Sequence, residues 1–342
     1  MSIGGEPGVR SAAAVSCVVI GTSAGGLEAL RVIVGGLAPD LPAAVLIVMH
    51  ISPQGPGLLS DLLSRVGPLR VGKSTDGELI EHGKLYIAPP DHHLLVKGQH
   101  ISLSRGPKEN CSRPAIDPLF RTAAAAFGAR TVGIILTGML DDGTAGLAAV
   151  KGRGGATIIQ DPREALYPSM PESALRYVGG DFVLPIGEIA ASINRLVREP
   201  RNVGQELPAS LQIEIETRFV EMETMSIKDM EAIGTHAGVS CPECHGPIWK
   251  IKDGPIQRYR CHVGHAYSAQ TMLAGQIEAQ ETHLWQALRV MKERVALIWE
   301  MRAHAQDDDR AADARAYEAT VRRLERNIGL IQDMLEEGEL SG

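Results

Sequence analysis

The chain has 342 residues, of which 44% are hydrophobic, and this is enough for about two domains of ~150 residues with proper cores. The net charge is −7 and aromatic residues make up only 4%, which argues against a nucleic-acid-binding protein because such proteins need a basic face. No apolar run approaches the roughly 18 residues that span a membrane, so we expect no membrane insertion.

The opening segment MSIGGEPGVRSAAAVSCVV carries a single arginine and a short apolar piece that leads directly into a glycine-rich turn. We interpret this piece as a first strand rather than a secretion signal. The five cysteines do not resemble a disulfide framework, since three lie within 241–261 while Cys17 and Cys111 stand alone. This spacing is typical of a metal site in a reducing compartment, and it predicts a cytoplasmic protein.

Between residues 15 and 197, short runs rich in β-branched residues alternate with segments that have a helical pattern. Strand followed by helix followed by strand predicts an α/β fold, a doubly wound and mostly parallel sheet with helices on both faces. The runs are almost wholly apolar, as strands buried on both faces should be. A separate hairpin is predicted for HLLVKGQHISLS, turning at 97–99. The predicted strands are CVVIG, AAVLIVMH, GKLYIAPP, TVGIILTG, GGATIIQD and DFVLPI.

The first turn, GTSAG at 21–25, fits the G-x-S-x-G pattern of a sharp strand-to-helix turn that exposes a serine. Three interpretations stay open at this point: a packing turn, a cradle for phosphate at a helix start, and a nucleophilic Ser23. A P-loop is disfavoured because no lysine follows the glycines, and the dinucleotide pattern G-x-G-x-x-G is not matched.

Two further strand ends carry polar side chains. His50 ends the second predicted strand, and Asp141 and Asp142 follow the strand TVGIILTG. Taken singly, His50 fits a structural histidine and the aspartates fit a helix cap. Since ligand sites of open parallel sheets lie beyond the carboxyl ends of the strands, the residues can meet there as nucleophile, base and orienting carboxylate.

Several segments resemble the chemotaxis protein-glutamate methylesterases, the CheB family. They are VIGTSAGG, VMH, RPAIDPLFRTAA, ILTGMLDDGTAG and YPSMPESAL, in the family's order over about residues 15–197. The resemblance implies a doubly wound α/β fold and an enzyme that hydrolyses γ-glutamyl methyl esters on the cytoplasmic helices of methyl-accepting chemoreceptors, with release of methanol. Deamidation of receptor glutamines is a second activity that it implies. The chemistry needs no cofactor.

The resemblance also assigns roles. It implies that Ser23 is the nucleophile, His50 the base and Asp142 the orienting carboxylate, since the family's aspartate directly precedes the glycine. The main-chain N–H of Met139 is implied to hold the oxyanion. Three more residues are placed at the oxyanion site or substrate groove: Ala24, Arg113 and Met170.

Two features depart from the family pattern. Ala24 stands where the family usually has threonine, which removes a hydroxyl near the site. The family's phospho-receiver domain is also missing before the first strand, so we expect constant activity or control by the C-terminal region or a partner. A non-catalytic signalling scaffold, which binds a partner through its C-terminal modules, is the alternative.

After a linker within the predicted segment 198–236, residues 237–268 hold CPECHGPIWKIKDGPIQRYRCHVGH. Cys241, Cys244, Cys261 and His265 have the spacing of a zinc ribbon, with a hairpin turning at 253–254 between the two ligand pairs. We predict a structural zinc ion there. Reduced buried thiols and a redox Cys-x-x-Cys are the alternatives. Small modules of this kind often accompany CheB-like domains without a receiver, so the resemblance extends loosely to this region.

Residues 269–337 read as two long helices with coiled-coil spacing. We predict an antiparallel helical hairpin whose apolar stripes bury each other, with a docking or dimerisation arm as the alternative; the oligomeric state is left open. The acidic QDDDR at 306–310 lies between the helices. The stripe positions are Ile277, Leu284, Leu288, Met291, Val295 and Ile298 in the first helix, and Tyr317, Val321, Leu324, Ile328, Ile331 and Leu335 in the second.

Overall fold

A computed structural model describes residues 16–55, 57–199, 210–223, 225–252, 256–307 and 311–336. The chain divides into two compact units, of which the first extends to Thr271 and the second begins at Met272. Most of the predicted linker, the hairpin turn at 253–254 and residues 308–310 lie outside the described residues. The four domain boundaries given above stay predictions.

The first unit is built on a parallel sheet. Its strands follow the order β3-β4-β2-β1-β7-β8-β9 and every neighbouring pair is parallel, while β5 and β6 form a separate antiparallel hairpin. The predicted doubly wound sheet and the hairpin are confirmed. In chain order the strands are β1 Ser16–Thr22, β2 Ala43–Met49, β3 Arg70–Lys73, β4 Lys84–Ile87, β5 His93–Lys97, β6 His100–Ser104, β7 Thr131–Ile135, β8 Ala156–Gln160 and β9 Phe182–Leu184.

The edge strand β3 was not predicted. Its four residues, RVGK, contain one β-branched side chain and a glycine, and none of the four is buried. A local pattern of apolar residues cannot reveal such a strand, because its pairing with β4 is what defines it.

The sheet is apolar because both of its faces are covered. Along β1, Val18 and Ile20 belong to one buried cluster, whereas Cys17 and Val19 belong to the other. This alternation follows from the two-residue period of a strand, and it makes the whole strand hydrophobic. Helices α1 and α6 pack on the first face, and α3, α4 and α5 pack on the second. The six helices are α1 Gly26–Gly35, α2 Leu59–Leu63, α3 Ile116–Phe127, α4 Thr144–Gly152, α5 Ser169–Tyr177 and α6 Ile186–Leu196.

A second, smaller sheet completes the first unit. It is antiparallel in the order β10-β11-β12-β13, and we call residues 234–268 that form it the Cys/His module. Two helices precede it. Their bounds and those of the strands are α7 Leu211–Val220, α8 Ile227–Ile233, β10 Gly234–Ser240, β11 Pro247–Ile251, β12 Arg258–Cys261 and β13 Ala266–Ser268.

A buried cluster of charges ties this module to the main sheet's helices. Glu109 pairs with Arg121 of α3 at 2.8 Å and with Arg260 of β12 at 2.9 Å. Glu216 of α7 pairs with Arg258 at 2.9 Å and with Arg260 at 3.3 Å. Because the charges are buried and mutually paired, they fix how α3, α7 and β12 meet.

The described residues of the second unit form two helices, α9 Ala269–Asp307, which starts just before the unit boundary, and α10 Ala311–Glu336. All twelve predicted stripe positions are buried or half-buried in these helices, and Arg302 of α9 pairs with Glu318 of α10 at 2.6 Å. The stripes therefore face inward, as predicted. Within the described residues, no helix combines the length and the apolar composition that crossing a membrane requires.

Candidate active site

Ser23 lies between β1 and α1, at the carboxyl edge of the main sheet. Its main-chain N–H donates to the carbonyl of Thr137 at 3.0 Å, and the Thr22 hydroxyl donates to the same carbonyl at 2.8 Å. Gly25 has a φ of +75°, which favours glycine, and a Cβ on Gly26 would lie 2.4 Å from the Thr22 hydroxyl. The turn is therefore pinned to the end of β7 and holds the serine side chain in one place.

His50 follows β2, the strand next to β1, and its main-chain N–H donates to the carbonyl of Thr22 at 3.1 Å. The Ser23 hydroxyl lies 3.2 Å from Nδ1 of the ring, and Asp142 Oδ2 lies 2.7 Å from Nε2. The three predicted residues thus form one continuous hydrogen-bonded series. The ring nitrogens have exchanged partners relative to chymotrypsin, where Nε2 faces the serine.

Asp142 is wholly buried but well supplied with hydrogen-bond donors. Burial by itself would raise the pKa of its carboxyl, yet the hydrogen bond and charge of His50, together with main-chain and amide donors, bring that pKa below its usual range. The carboxylate therefore stays ionised and can stabilise a protonated His50. Besides His50, its donors are the Asn110 amide and the main-chain N–H groups of Ile116, Asp117 and Gly143.

The neighbouring carboxylate, Asp141, faces the other way. Leu140 has a φ of +61°, a left-handed conformation that is uncommon for a residue with a side chain, and Gly143 has one of +91°. Between them, Asp142 turns to His50 while Asp141 accepts a hydrogen bond from the Ser268 hydroxyl at 2.6 Å. Burial raises the pKa of Asp141 to about 6. The structure thus separates two aspartates that the sequence placed side by side.

Ser23 and His50 open onto a groove of about 700 Å³. Its apolar wall includes Leu27, Val32 and Leu166, of which Leu166 is 73% exposed. Its polar residues include Glu28 and Glu164, and among the described residues that line it there is no lysine or arginine. The groove therefore combines an apolar wall with acidic side chains next to Ser23 and His50.

The remaining predicted residues take up different positions. Ala24 lines the groove, and its carbonyl accepts a hydrogen bond from the Thr137 hydroxyl at 3.0 Å. Met139 is 57% exposed and follows Gly138, where an added Cβ would lie only 2.9 Å from Cβ of Ser23. Its main chain therefore runs past the serine, and its oxyanion role stays a prediction.

Two residues expected at the substrate groove do not line it. Met170 is wholly buried, its sulfur lies against Gly138, and its main-chain N–H donates to the Gly138 carbonyl at 3.1 Å, so it packs against the loop that follows β7. Arg113 is held by the Asp91 carboxylate at 2.6 Å and by the carbonyls of Arg105 and Gly106. With these partners, the guanidinium secures its own loop rather than facing the groove.

The side chains of Cys241, Cys244, Cys261 and His265 also converge, within the Cys/His module. Their potential ligand atoms all lie within 4.8 Å of one another. The sulfurs of Cys244 and Cys261 are 3.7 Å apart, and Nδ1 of His265 lies 3.7 Å from the Cys241 sulfur and 3.6 Å from that of Cys261. Four soft or borderline donors at these separations can hold one metal ion.

The sequence did not point to Asn110, Thr137 or Asp117. Asn110 bonds to Asp142, Thr137 holds the serine turn, and Asp117 is buried beside Asp142. Asn110 and Thr137 lie in loops where isolated polar residues are common, so no spacing distinguishes them. Their importance follows only from the contacts.

Comparison with known proteins agrees with this geometry. The sequence profile described as CheB methylesterase matches residues 18–193. A Methanosarcina mazei protein named protein-glutamate methylesterase/protein-glutamine glutaminase 2 is 37% identical over 189 residues, which cover 53% of this chain and 52% of that protein. A Pyrococcus abyssi protein named protein-glutamate methylesterase/protein-glutamine glutaminase is 37% identical over 191 residues, with 55% and 52% covered.

A solved structure shows the same likeness. The Thermotoga maritima CheB methylesterase catalytic domain is 36% identical, with a TM-score of 0.52, and the match covers 54% of this chain and 100% of that one. The chain spans about half the length of the two curated relatives. The profile covers just over half of this chain and includes Ser23, His50 and Asp142. The chain belongs to the CheB methylesterase family.

Proposed function

We propose that the protein is a protein-glutamate methylesterase that hydrolyses γ-glutamyl methyl esters on the cytoplasmic helices of methyl-accepting chemoreceptors. The observation that carries the proposal is the hydrogen-bonded series from Ser23 through His50 to Asp142 at the mouth of the groove. Because the relatives are named for a glutaminase activity as well, deamidation of receptor glutamines is the second reaction that we propose.

The geometry supports a separate role in ester hydrolysis for each of the three residues. Nδ1 of His50 takes the proton of the Ser23 hydroxyl while its oxygen attacks the ester carbonyl, and Asp142 stabilises the resulting imidazolium. The imidazolium then returns the proton to the departing methoxide, which leaves as methanol. Water, deprotonated by His50 in turn, cleaves the acyl-serine and releases the glutamate. The same acyl-enzyme forms from glutamine, with ammonia as the leaving group.

The charge of the groove supports an ester as the substrate. Glu28 and Glu164 line the groove, and Glu28 is paired with Arg31, which lies outside the lining, at 3.5 Å. A neutral methyl ester enters such a groove without repulsion, whereas the carboxylate product is repelled by Glu164. Product release is therefore favoured once the ester has been hydrolysed.

The decisive experiment is methanol release from purified methylated receptor. We expect Ser23→Ala to lose about 10⁴-fold or more in rate, because the nucleophile is removed while the groove is kept. Ser64→Ala, at the end of α2, is the matched control and should release methanol at the parental rate. Equal rates for Ser23→Ala and the parent would exclude Ser23 as nucleophile. Receptor binding without any methanol release by the parent would favour the signalling scaffold.

For the Cys/His module we propose a structural zinc ion. Zinc–sulfur distances of about 2.3 Å place tetrahedral ligands roughly 3.8 Å apart, close to the separations found between these four side chains. Three cysteines and one histidine leave no position for substrate, so the ion would stabilise the fold and take no part in ester hydrolysis.

Elemental analysis tests the zinc proposal. We expect one zinc per chain in the parent and in Cys111→Ser, whose cysteine lies outside the cluster, and a loss of zinc in Cys244→Ser. Parent protein that was purified without chelators and contained no zinc would contradict it.

A further inference from the structure

The amide of Asn110 connects the Cys/His module to the aspartate of the proposed triad. Its Nδ2 donates to Asp142 Oδ1 at 2.8 Å and to Asp117 Oδ2 at 2.9 Å. Its Oδ1 accepts from the Ser268 main-chain N–H at 3.0 Å and from the Thr271 hydroxyl at 2.9 Å. The two donors and two lone pairs of the amide are all used, in a buried place, so the side chain has one orientation.

The backbone of Asn110 is held by the same module. Its φ is +51°, a left-handed backbone conformation that a residue with a side chain keeps only when surrounding contacts stabilise it. That support comes from β13, because the Asn110 N–H donates to the Ala266 carbonyl at 2.8 Å and the Ala266 N–H donates to the Lys108 carbonyl at 3.2 Å. The loop before α3 therefore lies alongside β13, the last strand of the module.

A second connection runs through the adjacent aspartate. The Ser268 hydroxyl donates to Asp141 and accepts the Thr271 N–H at 3.0 Å, while the Ser268 N–H donates to the Thr271 hydroxyl at 2.8 Å. Residues 268–271 thus bind both adjacent aspartates: they reach Asp142 through the Asn110 amide, and Ser268 contacts Asp141 directly. His265, one of the four side chains able to bind metal, lies three residues before this segment.

We propose that Asn110 is a positioning residue through which the folded, metal-bound Cys/His module sets the orientation of the Asp142 carboxylate and thereby the esterase activity; this rests on the proposed function. With the module in place, one Asp142 oxygen is occupied by Asn110 and the other is directed at His50. When the module loosens, Asn110 loses its partners at Ser268 and Thr271, and Asp142 loses the amide that supplements its main-chain donors, so the orientation of the carboxylate is less tightly fixed. The module then acts as the built-in regulator of the esterase.

Asn110→Leu tests the connection, since leucine has a similar size and no amide. We expect kcat on methylated receptor to fall about 10- to 100-fold with KM unchanged, as for other residues that orient a functional ligand. The low-field proton resonance of the His50 N–H bonded to Asp142 should shift or broaden, a change that general destabilisation of a remote region would not cause. Among the described residues, the titratable groups that interact with Asp142 and could contribute to such a shift include His50, Asp117, Asp141 and His93.

Asn194→Leu is the matched control. Asn194 also uses both ends of its amide, accepting the Ala38 N–H and donating to the Gly36 carbonyl at 3.0 Å each, but it lies on α6. We expect this variant to keep the parental kcat and the parental His50 resonance. Equal behaviour of the two asparagine variants would overturn the proposal.

Thr271 provides a milder pair of variants should Asn110→Leu fail to fold. Thr271→Val removes the hydroxyl that donates to Asn110, whereas Thr271→Ser keeps it. We expect the valine variant to reduce kcat and to move the His50 resonance, and the serine variant to restore both. Parental values for both quantities in folded Thr271→Val would also overturn the proposal.

Metal removal tests the regulatory part. Chelation of the full chain should move the His50 resonance in the parent and move it much less in Asn110→Leu, because only the connection through Ser268 and Asp141 is left there. Refilling with zinc should restore the parental spectrum. If chelation left the His50 resonance of the parent unchanged, regulation by the module would be overturned. If the parent releases no methanol but the resonance responds as expected, the esterase proposal fails while the positioning of Asp142 stands.

Discussion

At the scale of single residues, the site shows that surroundings decide the charge of a carboxylate. Asp142 and Asp117 are both buried and share one Asn110 amide. Five donors surround Asp142 and bring its pKa down, whereas burial and then the negative charge of Asp142 raise the pKa of Asp117 to about 8. At neutral pH, Asp142 is therefore ionised and ready to support His50, while its neighbour holds a proton.

The raised pKa of Asp117 predicts a pH effect on stability. Between about pH 4 and pH 8 the folded chain binds a proton at Asp117 that the unfolded chain releases, so the stabilisation from this proton is full below pH 4 and is lost by about pH 8. Asp117→Asn does not titrate. We therefore expect its free energy of unfolding to rise relative to the parent by up to about 1.4 kcal/mol per pH unit over this range.

Urea unfolding at several pH values between 5 and 9 measures this difference. Asp61→Asn, at an exposed carboxylate of α2, is the control for the loss of one acidic group. A constant difference between Asp117→Asn and the parent across the whole range would contradict the expected titration.

At the scale of elements, the buried charge cluster explains how α7 and the Cys/His module attach to α3. Burial by itself would raise the pKa of Glu216, but Arg258, Arg260 and Arg121 outweigh it and bring that pKa below its usual range. The carboxylate pairs with Arg258 and Arg260 of β12, and the Glu216 carbonyl accepts a hydrogen bond from Arg121 of α3, so this residue of α7 joins three elements. Removing it takes this negative charge away from the buried guanidinium groups of Arg258 and Arg260.

Glu216→Gln should therefore destabilise the first unit by about 3–5 kcal/mol, the usual cost of breaking a buried ion pair. Glu214→Gln changes an exposed glutamate on the same helix and should leave the free energy of unfolding within about 0.5 kcal/mol of the parent. Urea unfolding measures both variants. A loss below 1 kcal/mol for Glu216→Gln would show that the cluster does not hold these elements together.

At the scale of the whole molecule, the two units are stabilised in different ways. The first unit has a sheet with buried faces and a polar site, whereas the second unit is a pair of helices stabilised along one stripe. On α10, Val321 and Leu324 are 1% and 5% exposed, while Leu330 is 63% exposed. The second unit therefore depends on a few apolar contacts.

We expect Leu324→Ala to destabilise the second unit by about 2–5 kcal/mol, since truncating a buried leucine removes apolar contact and leaves a cavity. Leu330→Ala, on the exposed side of the same helix, should have little effect. Thermal unfolding followed by circular dichroism reports the helices, and methanol release reports the first unit. Equal stability of the two variants would show that the stripe is not what holds the helices.

How much the sequence predicts depends on whether a feature is local. The glycine turn at Ser23, the strand end at His50 and the glycine after Asp142 are visible as patterns, and the parallel-sheet rule brings them to one edge. The stripe of α10 is equally visible through its period. Asn110 has no such pattern, because its role consists of contacts with Ser268 and Thr271, more than 150 residues away.

The sequence by itself predicted six of the seven strands of the sheet and their apolar character, the strand-end positions of Ser23, His50 and the pair Asp141–Asp142, and the spacing of the four cysteine and histidine side chains, because each depends on local periodicity or close spacing. The tertiary structure alone decided that Asp142 faces His50 while Asp141 faces Ser268, and that Met170 packs against Gly138 in the loop after β7. Side-chain direction in loops is set by contacts between distant segments, and these contacts form only when the chain has folded.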